Sequence, residues 1–158
     1  MFIDIADVDE SMASAFLPDD MALLAGYWVQ IIELSKLLGT VLTVNYQRRR
    51  PKPTLTQIEG LERELLHFRL PDLQNPDFSR LAFYFSYHLH LHFQALLITF
   101  YRPYGSEKPV IPNGLSSFRQ KHWQGQMRLK VNLAASKVGD MAYVLAQDSF
   151  IQYAGPMV

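Results

Sequence analysis

The segment from Leu81 to Arg102 constrains this chain most: it reads Leu-Ala-Phe-Tyr-Phe-Ser-Tyr-His-Leu-His-Leu-His-Phe-Gln-Ala-Leu-Leu-Ile-Thr-Phe-Tyr-Arg. It has no Gly, no Pro and no charge before Arg102. Leu81, Phe85, Leu89, Phe93, Leu96 and Phe100 fall on one helical side, and Phe83, Tyr87, Leu91, Ala95 and Ile98 on another. A helix apolar nearly all round needs neighbours on every side. At about 1.5 Å per residue it spans roughly 30 Å, the width of a small domain. That length also suits a membrane span. Against this, Ser86, His88, His90, His92, Gln94 and Thr99 lie within it, and polar groups are costly in lipid. No second segment reads as comparably hydrophobic, so the expectation is a core helix that other helices must cover.

A chain of 158 residues is long enough to supply that cover in one domain. Its composition, 49% hydrophobic and 19% charged, is globular rather than disordered. With 15 basic and 15 acidic residues the net charge is zero, which disfavours binding to a nucleic-acid backbone. The absence of cysteine rules out disulfides, zinc–cysteine sites and thiol nucleophiles within this chain. The first ten residues are acidic where a signal peptide needs positive charge, so export is not expected.

Residues 1–19 read as an acidic N-terminal arm and residues 20–158 as one helical domain. Asp19 or Asp20 is expected to cap a first helix that runs to about Tyr46. Leu24, Trp28, Ile31, Leu34, Leu38, Val41 and Leu42 form its expected apolar face, and Gly26 and Gly39 suggest close packing. The run Arg48-Arg49-Arg50-Pro51-Lys52-Pro53 ends it as a basic connector, readable also as a nuclear-localisation patch. Thr54 with Gln57, or Thr56 with Glu59, opens a second helix through a capping box. Ile58, Leu61, Leu65 and Phe68 form its stripe, and Pro71 is expected to stop it. Asp77 is a cap for the helix at Leu81, Pro103 its terminator, and residues 103–117 a loop rich in Pro and Gly.

A last helix is expected from about Phe118 to Phe150. Trp123, Met127, Val131, Ala134, Val138, Met141 and Leu145 follow near-heptad spacing, with Ala135, Gly139, Ala142 and Ala146 as a small-residue edge. That pattern fits either a dimeric coiled coil or packing within the chain. The fold class that results is all-α: an irregular bundle of about four long helices around a buried central one.

His88, His90 and His92 are the sharpest chemical feature. On a strand all three share a face. On a helix only His88 and His92 do, and a zinc site then needs a further ligand. This carries an alternative reading, a small metal-dependent enzyme built on these histidines. No phosphate-binding loop, Gly-x-Ser-x-Gly elbow or metalloprotease pattern accompanies them, so no catalytic residue is assigned. Arg102, the first charge after the apolar run, sits at a helix C-terminus, suited either to the helix dipole or to an acidic effector. The candidate effector or interaction residues are His88, His92, Arg102 and Tyr104.

Four blocks resemble a known family in the same order. Leu34-Ser35-Lys36-Leu37-Leu38-Gly39 is similar to "Leu-x-x-Ile-Leu-Gly", and Glu64-Leu65-Leu66-His67-Phe68-Arg69-Leu70-Pro71 resembles "Glu-Leu-x-x-Trp-x-x-x-Leu-Pro" with two residues fewer between Phe68 and Leu70. Leu89–Pro103, leading into Tyr104, resembles "Leu-His-x-x-Tyr-x-x-x-x-Ile-x-Leu-x-Arg-Pro-Phe". Val131-Asn132-Leu133-Ala134-Ala135-Ser136-Lys137-Val138 resembles "Cys-x-x-Ala-Ala-x-x-Ile". These are blocks of the fungal-specific transcription factor domain, the middle homology region of zinc binuclear cluster regulators. Phe68, Tyr104 and Val131 replace the usual Trp, Phe and Cys, all keeping apolar character.

The resemblance implies a nuclear regulatory domain in RNA polymerase II transcription, here the C-terminal portion or a fragment. Its partners would be the transcription machinery or the rest of the parent regulator, with a small-molecule effector and a homodimer as further expectations. Zinc and DNA would belong to a six-cysteine module that this cysteine-free chain does not contain, so no cofactor, direct nucleic-acid binding or membrane association is expected of it.

Overall fold

A computed structural model describes residues 21–47, 51–73, 79–107 and 117–147. Among them are four α-helices and no β-sheet: α1 (Met21–Tyr46), α2 (Leu55–Leu66), α3 (Arg80–Tyr101) and α4 (Ser117–Gln147). A 3-10 turn, Arg102–Gly105, follows α3 directly. The all-α bundle around a central helix is the expected architecture, although α2 is short, at 12 residues. The acidic arm, the Asp19/Asp20 cap and Arg48–Arg50 lie outside the described residues.

Local chemistry explains the helix ends. Thr54, not Thr56, caps α2: its Oγ1 accepts the Gln57 N–H at 3.3 Å, and Gln57 Oε1 accepts the Thr54 N–H at 2.9 Å. That reciprocal pair satisfies two donors the first turn would otherwise leave open. α2 stops at Leu66, before Pro71. The His67 N–H closes onto Arg63 O at 3.1 Å and the Phe68 N–H onto Leu65 O at 3.2 Å, so the chain turns and Phe68 folds back. Ser79 caps α3, its Oγ accepting the Ala82 N–H at 3.1 Å; Asp77 lies outside the described residues.

The start of the expected 103–117 loop is ordered as the 3-10 turn, with Pro103 inside it. Pro fits there because its fixed φ suits a first helical turn and its missing N–H is not needed. The Pro103 carbonyl accepts from the Ser106 and Glu107 N–H groups at 3.2 and 2.9 Å. A Cβ on Gly105 would come within 3.1 Å of Arg128 Cγ, so glycine lets the turn sit close against α4.

α3 is the element the others cover. Leu89, Phe93, Leu96, Leu97, Phe100 and Tyr101 are buried, together with Ala82, Ser86 and Gln94. Tyr27, Leu34 and Val41 of α1, Ile58, Leu61 and Leu65 of α2, and Met127 and Ala134 of α4 join them in one core. Each such large side chain removed from water contributes about 1.5–3 kcal/mol. Enclosure is tighter at the C-terminal end: Leu81 and Ala95 are exposed, and the other side of the helix is half-buried. Phe68 stacks on Phe93 with centroids 5.8 Å apart, which is how the end of α2 is held against α3.

Two expectations about faces need correction. The core face of α1 is Tyr27–Leu34–Val41, with Ile31, Leu37 and Val44 packed beside it. Trp28, Leu38 and Leu42 point outward instead. α1 is apolar on two sides, and periodicity alone does not say which side meets α3. Gly26 and Gly39 are not packing sites either, since no atom lies within 4 Å of an added Cβ. It is also α1 that is long and apolar enough to cross a membrane, with a mean hydropathy of 1.3, contrary to the expectation that no second such segment exists.

α4 follows its expected stripe within the chain. Met127, Ala134, Met141 and Leu145 are buried, while Ala135, Gly139, Ala142 and Ala146 are exposed.

Candidate functional site

The histidines divide between two directions. On α3, Tyr84, His88 and His92 follow at four-residue steps and so share a line. Tyr84 stacks on His88 at 5.9 Å, and His92 meets His88 edge-on at 4.4 Å. The buried Tyr27 of α1 reaches the same point, its hydroxyl 2.6 Å from His88 Nδ1. Phe85 closes the cluster, 4.7 Å from the Tyr27 ring.

The electrostatics make this a neutral site at neutral pH. Burial pulls the His88 pKa down, and the neighbouring His92 lowers it further. His92 sits at the exposed rim, yet lost hydration lowers its pKa as well. Burial pushes the Tyr27 phenol up to about 12, with Tyr84 adding to the rise. Tyr27 is therefore a protonated donor and His88 Nδ1 its acceptor, which leaves the His88 proton on Nε2.

His90 is turned away, its Nε2 2.8 Å from the Pro71 carbonyl. A carbonyl only accepts, so His90 carries its proton on Nε2 and ties the α2–α3 connection to α3. Among the described residues no group of three His, Cys, Asp or Glu side chains is arranged to hold a metal.

Arg102 and Tyr104 lie at the far end of α3. Ten residues separate His92 from Arg102, roughly 15 Å along the axis. Arg102 is the exposed C-cap, its backbone N–H bonded to Ile98 O, and its charge lies close enough to the Tyr46 phenol to favour the phenolate there. Tyr104 is buried, edge-on to Phe100 at 5.6 Å and to Trp123 at 5.7 Å. Its hydroxyl donates to Asn45 Oδ1, and Asn45 Nδ2 donates to Phe100 O at 3.0 Å. Burial holds the Tyr104 phenol well above its ordinary pKa. The structure thus gives Tyr104 a packing and bridging position, and it does not bring the four candidate residues together.

A third polar cluster has no counterpart in the sequence reading. Glu62 of α2 accepts from the Tyr101 hydroxyl at 2.7 Å and from the Lys130 ammonium of α4. Lys130 also lies over the Tyr101 ring, 5.2 Å from its centroid. These residues are 39 and 68 positions from Glu62 in sequence, so no local spacing announces them.

The clefts are shallow. One of about 460 Å³ opens beside Tyr27 and Phe85, lined also by Leu23, Val29, Pro71 and Leu89. A smaller one of about 170 Å³ runs between α1 and α3 past Ser35, Leu38, His92 and Thr99. Both are lined mainly by apolar atoms, and no buried polar side chain among the described residues is left unsatisfied to aim into them. Such clefts suit an apolar side chain or small apolar ligand, held by shape and one or two hydrogen bonds.

No protein-family model matches the chain, and no curated protein and no solved structure is significantly similar to it.

Proposed function

We propose that this chain is a helical regulatory and interaction domain of the kind found in fungal zinc-cluster transcription regulators, acting in the nucleus on RNA polymerase II transcription. It works through apolar helix surfaces and the cleft beside Tyr27 and Phe85, with protein partners and a small effector as its ligands. DNA and zinc belong to a separate module.

The observation that carries the reading is where the four motif blocks lie. Three lie on α1, α3 and α4 and the other at the end of α2 and the turn that follows it, and each contributes to the one core: Leu34 from the first block, Leu65 and Phe68 from the second, Phe93 and Phe100 from the third, Ala134 from the fourth. Phe68, which takes the place of the family's usual Trp, is the residue that stacks on Phe93.

The test is a tethered reporter. The chain is fused between a heterologous DNA-binding module and an activation segment in yeast nuclei. Reporter output is expected to fall relative to the fusion without the chain, and to recover when Phe93→Asp breaks the core. Equal output from all three fusions would overturn the proposal, as would specific duplex binding by the isolated chain.

A further inference from the structure

We propose that His88 and His92 together bind one divalent first-row transition ion, copper(II) above all, as a two-imidazole chelate at the α1-facing side of α3, with water in the remaining positions. Two histidines one helical turn apart is the spacing that lets a single face offer both imidazoles to one ion. That spacing alone is common. The structure adds the mutual position of the rings, a residue that holds one of them, and nitrogens left open. The site is independent of the regulatory role proposed above.

The rings stand at the separation a shared ion needs. Their centroids are 4.4 Å apart. With metal–nitrogen bonds of about 2.0–2.1 Å, two imidazoles at a right angle on one ion have centroids roughly 4.5 Å apart, and at the tetrahedral angle roughly 5 Å. The observed spacing therefore suits neighbouring positions of a tetragonal or octahedral ion better than two corners of a zinc tetrahedron. Among such ions affinity for imidazole rises to copper(II), with nickel(II) next.

The nitrogens are open. His88 Nδ1 lies 2.6 Å from the Tyr27 hydroxyl, and among the described residues His88 makes no other hydrogen bond and His92 makes none. Every buried side-chain nitrogen and oxygen among those residues has a partner, so His88 Nε2, which has none, is reached by water. His92 is exposed. The 170 Å³ cleft between α1 and α3 runs past His92 and leaves room for water on the ion.

Tyr27 is the positioning residue. Its hydroxyl holds the His88 ring through Nδ1. With Nε2 on the ion, the His88 proton moves to Nδ1 and is donated to the Tyr27 oxygen, the kind of outer bond that orients metal-binding histidines. Only a tautomer changes, so no new charge is placed on either side chain. Tyr84, stacked on His88 at 5.9 Å, steadies the ring from another side. His90, between the two ligands in sequence, is bonded to the Pro71 carbonyl and takes no part. Two protein ligands make an exchangeable site, in contrast to a structural centre with four.

The experiment is a titration of copper(II) into the untagged 158-residue chain at about pH 7.5, where imidazole is mostly neutral, read by calorimetry and electron paramagnetic resonance. One ion per chain is expected, with hyperfine structure from two imidazole nitrogens. Free copper at about ten times its Kd should raise Tm by about 2–4 °C. His92→Gln lies at the exposed rim, so it should keep the helical circular dichroism while raising Kd about ten-fold or more; His88→Gln should do the same. Tyr27→Phe keeps a ring in the core and should raise Kd about ten-fold through the lost outer bond. His90→Gln, whose amide can still donate to the Pro71 carbonyl, should leave Kd unchanged. Absence of binding, one-to-one binding that survives in His88→Gln/His92→Gln, or a loss in His90→Gln as large as in His92→Gln would each overturn the proposal. An unchanged Kd in Tyr27→Phe would overturn the role given to Tyr27.

Discussion

Tyr27 and His88 form a pair whose character is set by what surrounds them. Neither ring is remarkable in isolation, but Phe85, Tyr84 and His92 remove enough water to favour the neutral form of both. Two neutral partners at 2.6 Å make one directed hydrogen bond between α1 and α3. The linkage has a definite sign. The folded pKa values of His88 and His92 lie below the ordinary 6.5, so the unfolded chain binds more protons as pH falls through that value. Stability is therefore highest above about pH 6.5 and declines as pH drops toward the folded values. In urea titrations between neutral and mildly acidic pH, His88→Gln/His92→Gln should flatten that decline while the carboxylate transition at lower pH stays. An unchanged slope would show that these imidazoles are not desolvated in the folded chain. At the other end of α3, Tyr104 and Asn45 satisfy one another, and this explains why a residue singled out for effector contact is buried in the frame.

At the scale of the helix, α3 depends on cover that is uneven along and around it. Leu96 is 4% exposed and Leu81 42%, although the sequence puts both on one side. Leu96→Ala should cost about 2–5 kcal/mol through lost burial and the cavity it leaves. Leu81→Ala should stay within about 0.5 kcal/mol, as surface changes do. Chemical denaturation of the two variants checks the contrast, and equal losses would mean that the N-terminal turns of α3 are covered as well. The stripes of α2 and α4 were legible because their core residues recur at regular three-, four- and seven-residue steps, although Leu129, Leu133 and Tyr143 also leave apolar side chains on the exposed side of α4. The face of α1 was not, because apolar residues recur on both of its sides, and a shift of one position rotates the helix by about 100°. The caps followed the same logic. Thr54 and Thr56 present equivalent motifs, and the reciprocal bond with Gln57 decides between them.

Across the whole molecule, α3 is held between α1 and α4, and polar ties reinforce the apolar packing at the corner where chain segments meet. Arg128 Nε donates to Gly105 O at 2.8 Å and Gln124 Nε2 to Ser106 O at 3.0 Å, anchoring the 3-10 turn to α4. Glu62 joins α2, α3 and α4 through Tyr101 and Lys130. By contrast, the Lys52–Glu107 pair at 3.3 Å is exposed on both sides and adds little. Removing everything from Ser117 onward would uncover the side of α3 that Met127 and Ala134 protect. Such a truncation is expected to abolish the cooperative thermal transition seen by circular dichroism while leaving residual helix. A sharp transition in the truncated chain would refute the view that α3 needs α4.

Composition, periodicity and capping chemistry by themselves determined the helical class, the number of helices, most of their ends and the identity of the central one, because these properties follow from neighbours within a few residues. The candidate site was only partly readable for the same reason: His88 and His92 were visible as a one-turn pair, but Tyr27, Asn45, Glu62 and Lys130 come from distant parts of the chain. Only the tertiary structure decided which face of α1 is core, which histidine is turned to Pro71, and which tyrosines are bound into the frame. Those outcomes depend on the order in which helices lie against one another, and no local pattern encodes it.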